Sequence, residues 1–129
     1  MHEASIAQSI VKTVLEQAEQ QRAIKIQAVY LEMGELSFLN REQVEFWIKL
    51  SFKDTIAKNA ALHFTEMKAV IHCKDCGYQG HIEVSEDPAY HLKLPQFKCP
   101  NCGSTDIEIV QGRETLIRRI QILRNEESS

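Results

Sequence analysis

Apolar residues recur every four positions near the start of the chain: Ile6, Ile10, Val14 and Ala18, with Val11 and Leu15 widening the stripe. That period is an amphipathic helix, expected over about residues 4–21. Residues 24–33 switch to alternation, with Val29, Leu31 and Met33 on one face and Ala28, Tyr30 and Glu32 on the other. This reads as a half-buried strand, and Gly34 ends it. Asn40 suits an N-cap, Gln43 follows three residues later, and Val44, Trp47, Ile48 and Leu50 supply the apolar stripe of a second helix reaching about residue 57. Leu62 and Phe64 mark a second strand. Residues 115–123 form a third, with Leu116, Ile120 and Ile122 on one face and Ile117 and Leu123 on the other.

From Val70 the pattern breaks. Cys, Gly, Pro and His come at short intervals, the only strand candidates are the brief runs 82–84 and 106–110, and the region closes near Gly112. The long strand beyond it needs partners, and the nearest unsatisfied edges are those at 24–33 and 61–67. The chain is therefore expected to leave one domain, build a lobe and return. The predicted fold is α+β: two helices against a three-stranded antiparallel sheet, residues 1–69 with 112–129, and an inserted four-cysteine zinc-ribbon-like domain, residues 70–111.

Composition narrows the classes. With 129 residues, 43% of them hydrophobic and 26% charged, the chain can bury one modest core and a small second module. The opening Met-His-Glu-Ala-Ser is not basic and no run approaches the roughly 20 apolar residues of a membrane span, so a cytoplasmic protein without a membrane partner is expected. The formal net charge is minus three; a divalent ion on four thiolates adds a further minus two, giving minus five. Basic residues are interspersed with acidic ones, and only Arg118 and Arg119 are adjacent in a predicted strand, so no nucleic-acid partner is expected. Residues 125–129 read as a frayed tail.

All four cysteines lie in two Cys-x-x-Cys-Gly knuckles, Cys73 with Cys76 and Cys99 with Cys102, separated by 22 residues. Each knuckle turns tightly enough to present two sulfurs, and four thiolates make a closed tetrahedral zinc site at metal–sulfur distances of roughly 2.3 Å. Such a site is structural. It leaves no open coordination position, which argues against a zinc hydrolase, and neither knuckle opens a thioredoxin-like helix. Function must lie elsewhere.

The chain start offers a second, different site. A bulky residue after the initiator methionine normally blocks its removal, so the Met1 α-amine, the amide nitrogens of His2 and Glu3, and the His2 imidazole lie within one short stretch. Four nitrogens in a plane suit Ni(II) or Cu(II) rather than tetrahedral zinc. Amide deprotonation is required, so binding should weaken as pH falls. Glu3 has a structural role available as well, as a negative charge near a helix N-terminus. No catalytic constellation is present: Ser37 and Ser51 lack a glycine elbow, and no Gly-rich phosphate loop occurs.

Met1-His2-Glu3 at the start, Met33-Gly34-Glu35-Leu36 after the first strand and the two knuckles together resemble the hydrogenase maturation nickel chaperone family, HypA with its relative HybF. The likeness spans essentially the whole chain. It implies a non-enzymatic carrier: Ni(II) as transient cargo at Met1, His2 and Glu3, and structural Zn(II) on Cys73, Cys76, Cys99 and Cys102. It further implies nickel handover to the [NiFe]-hydrogenase large subunit together with a HypB-type GTPase, and in some bacteria service to urease maturation proteins. Some relatives recruit a further histidine from the zinc lobe, and His91 is the best-placed candidate here. His72 and His81 read as outer-sphere donors or surface residues, and His63 as structural. Trp47 and Phe52 read as core, and Glu35, Glu42 and Glu45 as a solvated face. The competing reading is a zinc-ribbon interaction module with no nickel role, in which His2 carries nothing.

Overall fold

The computed structural model describes residues 2–82 and 98–125, with only the backbone of His2. In order the elements are α1 (His2–Gln20), β1 (Ala23–Gly34), α2 (Arg41–Phe52), β2 (Ala61–Met67), β3 (Val70–Cys73), β4 (Gln79–His81), β5 (Ile107–Gln111) and β6 (Thr115–Arg124). They fall into two compact units. The first runs through Met33, resumes over Leu39–Thr65 and takes the chain from Thr115 onward; the second comprises Gly34–Phe38 with Glu66–Glu114.

In the first unit α1 buries Ile10, Val11, Val14 and Ala18 of the expected stripe, adds Ala7 to it, and leaves Ile6 and Leu15 half-buried at its edges. It stops where Arg22 takes a left-handed φ of 58°, turning the chain into β1 without a glycine. Asn40 caps α2: its side-chain oxygen accepts the Gln43 N–H at 3.0 Å. The helix ends at Phe52 rather than near 57, because the Thr55 hydroxyl donates to the Phe52 carbonyl at 2.8 Å and accepts the Ala57 N–H at 3.0 Å, folding the next residues into a turn. Val44, Ile48 and Phe52 face the core. Trp47 and Leu50, expected in that stripe, are 37% and 52% exposed. The interior accepts one residue per helical turn here, so the apolar stripe is narrower than the sequence suggests.

The sheet has the order β2-β1-β6. β1 and β6 are antiparallel, from Ala23 opposite Arg124 to Met33 opposite Thr115. The sheet is mixed, however, and not antiparallel throughout. The chain passes from β1 to β2 through α2, and a helical crossover brings the second strand back in the direction of the first. A register shift between Tyr30 opposite Arg119 and Leu31 opposite Ile117 leaves Arg118 as an extra residue in β6. This bulge reverses the alternation, so Ile117 joins Ile120 and Ile122 against the core.

The second unit holds the sheet β4-β3-β5, with both pairings antiparallel. Its small core is Leu36, Ala69, Ile71 and Ile82, with Tyr78, Ile107 and Ile109 packed around it. The expected strand at 82–84 lies instead at Gln79–His81, and residues 83 and 84 are outside the described residues.

Candidate metal centre

The two knuckles are near copies. In the first, the Gly77 N–H donates to the Cys73 carbonyl at 3.0 Å and the Cys73 N–H to the Tyr78 carbonyl at 2.8 Å. In the second, Gly103 donates to Cys99 at 2.8 Å and Cys99 to Ser104 at 2.8 Å. Each turn closes through a glycine at positive φ, 78° for Gly77 and 77° for Gly103, a conformation that L residues adopt only with strain. Glycine after the second cysteine is thus a requirement of the turn.

The four sulfurs lie within 4.8 Å of one another. Cys73 Sγ is 3.6 Å from Cys102 Sγ, and Cys76 Sγ is 3.7 Å from Cys99 Sγ. A tetrahedron of sulfurs at about 2.3 Å from its centre has edges of roughly 3.8 Å, so the cluster fits a tetrahedral thiophilic ion. Cys73 and Cys99 are buried, while Cys76 and Cys102 are exposed, one of each from each knuckle.

Polar groups around the sulfurs are arranged for thiolate. The Asn101 N–H donates to Cys99 Sγ at 3.3 Å and its side-chain amide to Cys76 Sγ at 3.4 Å. That amide, then the Tyr78 backbone, pull the Cys76 thiol down to about 6 from its ordinary 9.0. Cys102 goes the other way. The Ser104 backbone N–H lowers it, but local desolvation and hydrogen bonds with Cys73, Cys76 and Cys99 together push it up to about 12. Four thiols this close cannot all ionise until a cation joins them. Asp75 accepts from the Ser104 hydroxyl, and Lys74 donates its N–H to the Asp106 carbonyl at 3.0 Å, lacing one knuckle to the other.

The histidines separate. His63 stacks on Tyr30 with ring centroids 4.6 Å apart, and the Arg119 guanidinium lies 4.2 Å from the Tyr30 centroid, a cross-strand row on the first sheet. His72 lies on β3, its Nδ1 buried without a partner among the described residues. His81 Nε2 is 3.2 Å from Glu35 Oε1. Glu35 is therefore no solvated side chain; it also accepts the Ala69 N–H at 2.8 Å. Its partners are 34 and 46 residues away along the chain, and no local pattern signals them. At the chain start, helix α1 begins at His2, and Glu3 Oε2 accepts the Asn40 N–H at 3.2 Å, so its carboxylate serves the start of α2. Met1, the side chain of His2, and His91 lie outside the described residues.

A small α+β chain with a closed, four-thiol tetrahedral centre belongs to the class of metal-handling proteins. The family profile described as "Hydrogenase/urease nickel incorporation, metallochaperone, hypA" matches residues 1–122. The hydrogenase maturation factor HypA of Pyrococcus horikoshii is 39% identical over 133 residues, covering 95% of this chain and 96% of the relative. That of Methanothermobacter thermautotrophicus is 36% identical over 122 residues, at 95% and 97% coverage. The solution structure of the Ni metallochaperone HypA from Helicobacter pylori shares the fold, with TM-score 0.69 at 22% identity over 95% of this chain and 98% of that one. The chain belongs to the HypA family, whose members are metallochaperones and not enzymes.

Proposed function

We propose that this chain binds Ni(II) through Met1, His2 and Glu3 and hands it on during [NiFe]-hydrogenase assembly, with zinc as the resident ion on Cys73, Cys76, Cys99 and Cys102. The observation that carries the reading is the pairing of two unlike sites in a chain of this family: a closed four-thiol cluster and a Met-His-Glu start leading into a helix. The first suits a permanent tetrahedral ion. The second offers an α-amine, two amide nitrogens and an imidazole, a set that suits square-planar nickel and can be surrendered to a competing ligand. The Glu3 carboxylate, engaged by Asn40, contributes structure, and the Glu3 backbone nitrogen is its contribution to the metal. His91 is a candidate additional ligand.

In this reading the inserted domain is the zinc domain and the remainder the nickel-binding domain. A HypB-type GTPase supplies the nucleotide hydrolysis, the hydrogenase large subunit receives the nickel, and urease maturation proteins are further candidate clients. No helix among the described residues is long and apolar enough to cross a membrane, and we place the protein in the cytoplasm.

The test is a nickel titration of zinc-loaded, untagged protein with its native Met1, followed by the absorption of a square-planar complex and repeated with His2→Ala. One equivalent bound at micromolar or tighter affinity by the wild type and lost in the variant is the expected result. Equal weak binding in both would reject the nickel site and leave a zinc-ribbon interaction module.

A further inference from the structure

The first knuckle is the closed end of a hairpin. β3 leads into Cys73, the turn presents Cys76, and β4 returns to His81. The register runs from His72 opposite Gln79, next to the turn, through Ile71 opposite Gly80, to Val70 opposite His81 at the open end. A hairpin of three paired positions has little stability of its own. Beyond the pairing of β3 with β5 and the small core beneath it, the hairpin depends on what closes each end. At one end that would be an ion on the sulfurs.

At the other end lies the Glu35 carboxylate. A single oxygen, Oε1, accepts the Ala69 N–H at 2.8 Å and lies 3.2 Å from His81 Nε2, touching both arms just where the pairing ends. Glu35 is itself fixed from both sides of the chain. Its N–H donates to the Met67 carbonyl at 2.9 Å, and the next N–H, of Leu36, donates to the Gly112 carbonyl at 2.7 Å. Leu36 is buried against Ala69, Ile71 and Ile82, which come from the same hairpin. The Glu35 side chain is only 14% exposed, where a carboxylate placed for solubility alone would stand in water. The Tyr78 hydroxyl donates to the His81 carbonyl at 3.0 Å, bracing β4 from within the turn.

We propose that Glu35 is a positioning residue for the four-cysteine centre: a carboxylate staple across the open end of the β3–β4 hairpin that keeps Cys73 and Cys76 at ligating separation and slows loss of the ion. This rests on the reading of the cysteines as a metal centre and goes beyond it. A thiolate of the first knuckle leaves the metal when the hairpin arms part, and the staple opposes their parting from the end that the metal does not reach. Glu35 touches no sulfur in this arrangement and acts through the backbone.

The experiment measures zinc transfer from the loaded protein to an excess of a chromogenic chelator, for the wild type, Glu35→Ala, Glu35→Gln and His81→Gln. Loss of a hydrogen bond to a charged acceptor predicts release at least about tenfold faster in Glu35→Ala. Glu35→Gln keeps an acceptor for the Ala69 N–H and is expected between that and the wild type. Amide exchange of Ile71, His72 and Gly80 should rise while that of Gly103 and Ser104, in the other knuckle, stays unchanged. A wild-type release rate in Glu35→Ala, or an equal rise of exchange in both knuckles, overturns the proposal. If Glu35→Ala does not fold, wild-type rates in both Glu35→Gln and His81→Gln overturn it. Cobalt-substituted wild type should show the tetrahedral thiolate spectrum, and its absence would overturn the metal-centre reading itself, and the staple with it.

Discussion

Individual residues here are constrained by backbone approach as much as by chemistry. A Cβ on Gly34 would sit 2.2 Å from the Gly112 carbonyl oxygen, a backbone atom that cannot swing aside. Gly34→Ala is therefore expected to destabilise the protein by about 3 kcal/mol or more, measured by urea unfolding of the metal-loaded form. Gly77 differs, since nothing lies within 4 Å of a Cβ built there and only its φ of 78° forbids a side chain. Gly77→Ala should cost about 1–2 kcal/mol and faster metal loss, without a global clash. The sequence marks both glycines, one as the end of a strand and one as part of a knuckle. It cannot distinguish a glycine needed for space from one needed for its dihedral angle, because the first depends on a carbonyl 78 residues away.

At the scale of elements, α2 is the instructive case. Its cap was legible in Asn40, and Asn40→Ala is expected to cost about 1 kcal/mol in thermal unfolding. Its buried face was legible only in part. Phe52 and Trp47 look alike as aromatic residues of one helix, yet Phe52 is 2% exposed and Trp47 makes an edge contact with the exposed Phe46. Phe52→Ala should therefore cost about 3–5 kcal/mol, and Trp47→Ala much less, a contrast that denaturant midpoints would resolve. The phase of β6 failed for another reason. A strand reads correctly by alternation only while its register is unbroken, and the bulge at Arg118 is created by pairing with β1, information absent from β6 alone. Helix α1 and residues 29–33 of β1 were legible because their periodicity is strong and local, whereas the start of β1, where Ile24 and Gln27 are extra residues against β6, was not.

For the whole molecule, proton uptake and metal loading are one equilibrium. Cys76, held near 6, has a folded value below its ordinary one, so the stability it contributes to the metal-free protein is present above its ordinary range and is lost as pH falls through about 6. Cys102, raised to about 12, does the opposite: the unfolded chain ionises first, and the metal-free fold loses stability as pH rises above 9. Loading at pH 5 should release about one proton more than loading at pH 7, because Cys76 must then give up a proton it has already lost at the higher pH. Calorimetry in buffers of differing ionisation enthalpy measures that difference. The cysteine spacing announced this centre without any structure. The uneven ionisation of its members did not show, since it depends on Asn101 reaching across from the second knuckle to the first.

Each knuckle contributes one buried cysteine and one exposed cysteine, an asymmetry that bears on how a bound ion would be lost. A competing chelator meets Cys76 and Cys102 first, and these belong to different halves of the centre. Were both to let go, a bound ion would still bridge Cys73 and Cys99, and through them two stretches of chain distant in sequence. Such a centre would unlace from the outside while its inner stitches held, and an interrupted theft of the metal would leave the two knuckles tied together.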